Sequence, residues 1–279
     1  MNLHTFVQSL ETRLPPSAAM KGDRIGLQLQ SGRTEISSVL VTMELTEIVV
    51  EEALGYGVDC IVSFHPLIFA PLVALTDSER VGRICTKLIA NGIALVVAHT
   101  NFDAFPKGTS VLLAERLGLS IEQPLSPDTV NAGFGMGIVT SLGTPEPIAD
   151  FVGRIHAVTS APVRYAVGKG LAVQRVAIVG GSGASFIDAA LESKADAFIT
   201  ADIKYHDFHR TQGLMTLIDA GHYEMEQFVP IGLAALLEDI VSCQEEKLHI
   251  IRSRTVPNPI RYFPYTEQYQ QAQQHILNS

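Results

Sequence analysis

Apolar and polar positions alternate along this chain in two rhythms, and the chain switches between them repeatedly. Residues 1–14 put Leu3, Phe6, Val7 and Leu10 on one face, the spacing of an amphipathic helix. Residues 36–44 are apolar and rich in β-branched side chains, which predicts a strand. Thr46 stands where its hydroxyl can cap a following helix that runs to about Tyr56. Residues 59–65 form the next strand. Residues 78–91 carry helical periodicity and stop at Gly92, a suitable C-cap. Residues 93–99 are almost free of polar side chains, as a parallel strand covered on both faces should be.

The second half repeats the style. Strands are predicted at 173–179, 197–200, 215–220 and 248–252. Helices are predicted at 186–194, from about Tyr205, and as one long helix from about Glu224 to Cys243. Residues 123–174 break the rhythm with Pro124, Pro127, Pro145, Pro147 and Pro162, and with alternating Gly133, Gly135 and Gly137; this stretch is expected to join two lobes. Residues 58–69 can be laid on 195–206, and 91–103 on 212–224, a faint internal repeat in which two buried strands end in polar residues. The βαβα order predicts an α/β fold of two related lobes with mixed sheets. The first lobe is expected over 1–125, with the C-terminal tail packing on it, and the second over 126–279.

Composition narrows the function classes. Hydrophobic residues are 47% and charged residues 18% of the chain, which implies a packed core. The net charge of −9, from 20 Lys and Arg against 29 Asp and Glu, speaks against nucleic-acid binding, since phosphate contacts need basic surface. Cys60, Cys85 and Cys243 are far apart and form no C-x-x-C pair. They predict core thiols rather than a disulfide framework or a thiolate metal site. No apolar run reaches the roughly 18 residues of a membrane span, and the start lacks the basic and apolar blocks of a signal peptide. The expected location is cytoplasmic, with no membrane partner.

The chemistry gathers at strand ends, where α/β proteins place ligands. Four polar clusters follow apolar segments: Ser63-Phe64-His65-Pro66, His99-Thr100-Asn101-Phe102-Asp103, Asp202 to Asp207, and His222-Tyr223-Glu224-Met225-Glu226. Any one of these histidines could be a hydrogen-bonded core residue; four clusters in register with strand ends point to a shared site. His222 and Glu226 are four apart, so on a helix they share a face and can chelate one ion. The plainer alternative is a solvated helix start, where acidic residues favourably meet the helix dipole. With His65 and Asp103 the set becomes two imidazoles and two carboxylates, suited to Zn, Fe, Mn or Ni. The glycines of Val179-Gly180-Gly181-Ser182-Gly183 lack the Lys-Ser/Thr of a P-loop and are expected to make a tight turn.

These motifs resemble the NIF-three-like dinuclear-metal-centre family, also called domain of unknown function 34, whose members carry the label GTP cyclohydrolase I type 2 homologue. The resemblance runs through DRIGLQ (23–28), VLVTMELTEIVVEEA (39–53), VSFHPLIFAPL (62–72), AHTNFDA (98–104), the glycines of 133–137, VGGS (179–182), ADIKYHD (201–207) and DAGHYEME (219–226). It implies a metal pocket between the two lobes. His65 and Asp103 would hold a first metal, His222 a second, and Glu226 would touch both. It also implies a homo-oligomer, a toroidal hexamer with the pockets facing an internal cavity.

One position departs from the resemblance. The family pattern has two consecutive histidines before the proline, and this chain has Phe64-His65-Pro66. Phenylalanine cannot ligate, so one well-held ion and a weakened second site are expected, unless His99, His206 or Glu224 compensates. His99, Thr100 and Asn101 could instead orient Asp103. Glu226 and His206 are the expected proton-handling groups. The function implied is a metal-dependent hydrolase acting on a small molecule, with a nucleotide among its candidate substrates. The competing function is a non-catalytic metal-binding or scaffold protein.

Overall fold

The computed structural model describes residues 1–244 and 247–262. In chain order the elements are α1 (Leu3–Arg13), β1 (Gly26–Leu29), β2 (Ser38–Thr42), α2 (Glu47–Tyr56), β3 (Cys60–Ser63), α3 (Arg80–Ala90), β4 (Ala94–Val97), α4 (Thr100–Asp103), α5 (Thr109–Arg116), β5 (Ser120–Pro127), β6 (Gly135–Pro147), α6 (Ile148–Thr159), β7 (Arg164–Ala166), β8 (Ala172–Ser182), α7 (Ile187–Glu192), β9 (Ala197–Ala201), α8 (Tyr205–Thr211), β10 (Thr216–Asp219), α9 (His222–Glu226), α10 (Val229–Cys243) and β11 (His249–Arg252). Local chemistry sets many of these limits. Asn2 accepts from the backbone of His4 and Thr5 to start α1. The Thr46 side chain accepts from Val49 N to start α2, and Gly57 closes that helix at φ 66°.

The chain forms two compact units. The first takes Met1–Phe102 and Val229–Pro257; the second takes Asp103–Phe228 and, of the described residues that follow, 258–262. In the first unit the sheet order is β1-β4-β3-β2-β11. β1 runs antiparallel to β4, and the other pairs are parallel. All residues of β3 and β4 are buried, and Leu40, Val49, Ile61, Leu88 and Leu95 lie in one core. At the start of β3, Asp59 accepts from Ser37 N and Ser37 Oγ, both at 2.7 Å, and pairs with Arg33 at 2.5 Å.

The second unit has the sheet order β5-β6-β8-β9-β10-β7. β8, β9 and β10 are parallel; β5, β6 and β7 join by antiparallel pairing. Both sheets are mixed, as expected. The stretch 123–174 is not a bare join: it supplies most of β5, all of β6, α6 and β7, and the start of β8. Pro124 and Pro127 fit because β5 is an edge strand, where a missing N–H costs no ladder bond; Pro145 and Pro147 fall at the end of β6, at and after the irregularity between Ser141 and Glu146 in its pairing with β8. The faint repeat has a structural counterpart, since β3–β4 and β9–β10 are each adjacent parallel pairs.

The expected long helix from Glu224 is two helices. α9 ends at Glu226 and α10 begins at Val229. Pro230 explains the break: it lacks an N–H and clashes within a helix, but fits a first turn. Of the tail expected to pack on the first lobe, residues 263–279 lie outside the described residues. Among the described residues no helix is long and apolar enough to cross a membrane.

Candidate metal centre

In the second unit, β9 and β10 pair through Thr200 and Asp219, and polar residues emerge just beyond both strands. Asp202 turns the chain after β9 at φ 57°, a left-handed conformation that Asp tolerates better than most residues. Gly221, at φ 76°, turns it after β10, and α9 starts at once with His222. The helical spacing brings His222 Nε2 to 3.1 Å from Glu226 Oε2. On the other ring edge, His222 Nδ1 lies 2.7 Å from Asp202 Oδ2. Ser182 Oγ donates to the same carboxylate oxygen and stands 3.5 Å from the imidazole.

The glycine turn after β8 makes this approach possible. Gly181 sits at φ 63°, and a Cβ there would collide with Glu226 Oε1 and come within 3.5 Å of His222 Cε1. Thr200 Oγ1 ties the turn to β9, accepting from Gly183 N at 2.8 Å and donating to Gly181 O at 2.9 Å. The glycines therefore serve a tight turn whose backbone lies against the His–Glu pair.

Burial by itself would lower the pKa of His222. The hydrogen bonds that its ring donates to Asp202 and Glu226, together with their negative charge, outweigh it, and the imidazolium is pushed up to about 11. Asp202 moves the other way: its hydrogen bond to His222 pulls it down to about 2 against the opposing effect of burial. Nε2 of His222 and Oε2 of Glu226 thus face each other across a position that a cation could take. The donors suit one. Two ligand atoms each about 2.1 Å from one ion, at nearly a right angle, stand about 3 Å apart. An imidazole backed by a carboxylate at Nδ1 is the usual arrangement of a metal-binding histidine. His222 and Glu226 form a His/Glu pair that could hold a metal ion.

The first unit holds a second group of imidazoles. His65 follows β3, and its N–H extends the ladder to Met43 O at 2.8 Å. Its Nδ1 is 3.1 Å from Glu44 Oε2. Phe64 is fully buried, with ring centroids at 5.0 Å from His65, 5.3 Å from His99 and 6.3 Å from Phe102. A ring in that apolar position explains why this side chain is packing and not a ligand. Nδ1 of His99 rests on Asp23 at 2.9 Å. Burial opposes ionisation of Asp23, but the hydrogen bonds from His99 and Thr100 hold its carboxyl far below the usual range.

Of the four expected ligands, His222 and Glu226 meet directly. Asp103 closes α4 and heads the second unit, and His65 stands past β3 in the first. His206 is exposed on α8, where its ring neighbours are Tyr205 at 5.3 Å and His209 at 6.5 Å. Glu224 is buried and accepts from Asn258 Nδ2 at 3.3 Å and the Tyr262 hydroxyl at 3.4 Å. Sequence reasoning missed the carboxylates behind the imidazoles: Asp202, Glu44 and Asp23. The first two follow strand ends and could have been sought there; no local signal marks Asp23.

The Duf34/NIF3 (NGG1p interacting factor 3) family model matches residues 1–259. A Streptomyces coelicolor protein named GTP cyclohydrolase 1 type 2 homolog is 32% identical over 265 residues, covering 92% of this chain and 93% of that one. Drosophila melanogaster NIF3-like protein 1 is 33% identical over 250 residues, covering 85% and 84%. The crystal structure of Staphylococcus aureus hypothetical protein SA1388 superposes with a TM-score of 0.87 at 27% identity, covering 94% of this chain and 99% of that one.

Proposed function

The chain belongs to the Duf34/NIF3 family, and from that premise we propose that it is a divalent-metal protein working as a metal-dependent hydrolase on a small molecule. The observation that carries the proposal is the array Asp202–His222–Glu226: a buried carboxylate and a carboxylate-backed imidazole with their donor atoms 3.1 Å apart. In the proposal His222 and Glu226 hold the ion, with Asp103 and His65 as the remaining protein ligands. The donor types suit Zn, Fe, Mn or Ni. A divalent ion would supply Lewis acidity there and lower the pKa of a water toward neutrality.

The chain's own residues have separable tasks. Asp202 accepts the Nδ1 proton of His222, so that Nε2 faces Glu226. Ser182 and the Gly181 backbone keep that geometry close. Glu226 is the buried carboxylate placed to hold or release a proton. His206 is assigned a second proton-handling role from its sequence position alone. The name carried by the Streptomyces relative makes purine nucleotides the first substrates to test. The proposed setting is a cytoplasmic homo-oligomer, a hexamer.

Elemental analysis of the purified protein, followed by assay on nucleotides and phosphoesters with added Mn2+ or Zn2+, tests this. Turnover is expected to require metal and to be lost in His222→Ala, Glu226→Ala and His65→Ala. Turnover surviving those changes would dismiss a metal mechanism. A second function, metal binding or scaffolding without catalysis, is favoured by one observation: Phe64 is wholly buried packing, which removes a ligand that a two-metal reaction would use. Stoichiometric metal with no turnover across the panel would select it.

A further inference from the structure

Three imidazoles in this chain have the same backing. Nδ1 of His222 rests on Asp202 at 2.7 Å, Nδ1 of His65 on Glu44 at 3.1 Å, and Nδ1 of His99 on Asp23 at 2.9 Å. A carboxylate at Nδ1 fixes the tautomer, leaves the lone pair on Nε2 and makes that nitrogen a better donor to a metal. The first two histidines are already assigned to an ion by the proposal above. The third is not.

His99 has the firmest support of the three. Asp23 is only 4% exposed at its side chain. Besides His99, it accepts from Arg24 N at 2.7 Å, Thr100 N at 3.1 Å and Thr100 Oγ1. That carboxylate is held in place from several directions and in turn holds the ring. The His99 side chain is 20% exposed, and among the described residues its Nε2 has no hydrogen-bond partner. A histidine needed only to cap a strand end would not require a buried carboxylate fastened this way.

The position of the ring relative to His65 points the same way. β3 and β4 are parallel neighbours with Ser63 opposite Val97, so residues 65 and 99 lie two steps past the last pair, on adjacent chains at one edge of the sheet. Their ring centroids are 5.6 Å apart at 75°. Two imidazoles bound through nitrogen to one tetrahedral ion, with bonds of about 2.1 Å, place their centroids about 5 Å apart. Phe64 lies against both rings, at 5.0 and 5.3 Å, and provides a dry apolar wall beside the donors.

We infer that His99 is a further metal ligand, acting through Nε2 with His65 as an imidazole pair for a divalent transition metal, with Asp23 as the residue that positions it. The inference rests on the proposal that His65 binds metal. It places a second imidazole beside His65, on the chain just past β4.

Cobalt(II) titration of the metal-free full chain tests this. In the Co2+ form each bound imidazole gives a hyperfine-shifted, exchangeable N–H proton signal. The expected result is one such signal that disappears in His99→Gln, with Co2+ affinity at least about tenfold weaker in that variant and about 10- to 100-fold weaker in Asp23→Asn. Zn2+ titration of the unmodified, 15N-histidine-labelled chain gives the same answer without any substitution: the His99 Nε2 resonance should move. Unchanged Co2+ affinity in folded His99→Gln, or an unmoved His99 Nε2 resonance in a chain that does bind Zn2+, overturns the inference and leaves the metal proposal standing. A chain that binds neither ion overturns both.

Discussion

Asp202 Oδ2 stands 2.7 Å from Nδ1 of His222, on the ring edge opposite the nitrogen that faces Glu226. This contact decides which imidazole nitrogen is left for an ion. Asp202→Asn keeps the side-chain shape, and Asn tolerates the φ of 57° at this position, so the backbone should not move. Removing the charge is expected to weaken metal affinity about 10- to 100-fold. Competition with a chromophoric chelator measures this, and circular dichroism checks the fold. Unaltered affinity would show that Asp202 does not support the ligand.

Gly181 offers a steric test of the same pair. Its φ of 63° is strained for any side chain, and a Cβ would meet Glu226 Oε1. Gly181→Ala should cost about 1–2 kcal/mol from the backbone alone, and displacement of Glu226 should lower metal content as well. Thermal unfolding and elemental analysis read the two effects separately. Loss of stability with full metal content would mean that Glu226 is not a ligand.

Stability in acid should depend on Asp59. Burial works to raise its pKa, but the hydrogen bonds from Ser37 and the charge of Arg33 outweigh it and hold the carboxyl below its ordinary value. A carboxylate with a lowered folded pKa stabilises the protein above its unfolded pKa of about 3.9. That contribution is lost as pH falls through the folded value. Asp59→Asn should therefore be destabilised by about 2 kcal/mol at neutral pH, with the gap to the unmodified chain closing below about pH 4. Denaturant melts across pH show it; a gap that persists in acid would refute the charge argument.

Phe64 separates packing from chemistry. The ring is fully buried against His65, His99 and Phe102. Phe64→His should lower stability by about 1–3 kcal/mol, the cost of burying an unpaired polar group, while raising metal content above that of the unmodified chain. Elemental analysis of both proteins decides. Equal content would show that a side chain at 64 does not reach the ion.

Much of the framework was legible because it rests on short-range physics. The apolar runs of β3 and β4, the Thr46 cap and the Gly57 stop of α2, and the i,i+4 placement of His222 and Glu226 follow from local periodicity and backbone chemistry. The break after Glu226 was equally local, since Pro230 announces it, and the apolar continuity of the segment masked it. β5 was hidden by Pro124 and Pro127, which an edge strand accepts.

The sequence by itself therefore determined the alternation of elements, the mixed α/β class and the residue types able to hold a cation. Tertiary structure alone decided that β11 joins β2 in the first unit, that Asp202 backs His222 from 20 residues away, and that Asp23 backs His99 from 76. The reason is physical. Periodicity and capping act within a few residues of chain, whereas a hydrogen bond between a carboxylate and an imidazole depends on strand order, register and the reversals that bring distant segments to one edge of a sheet.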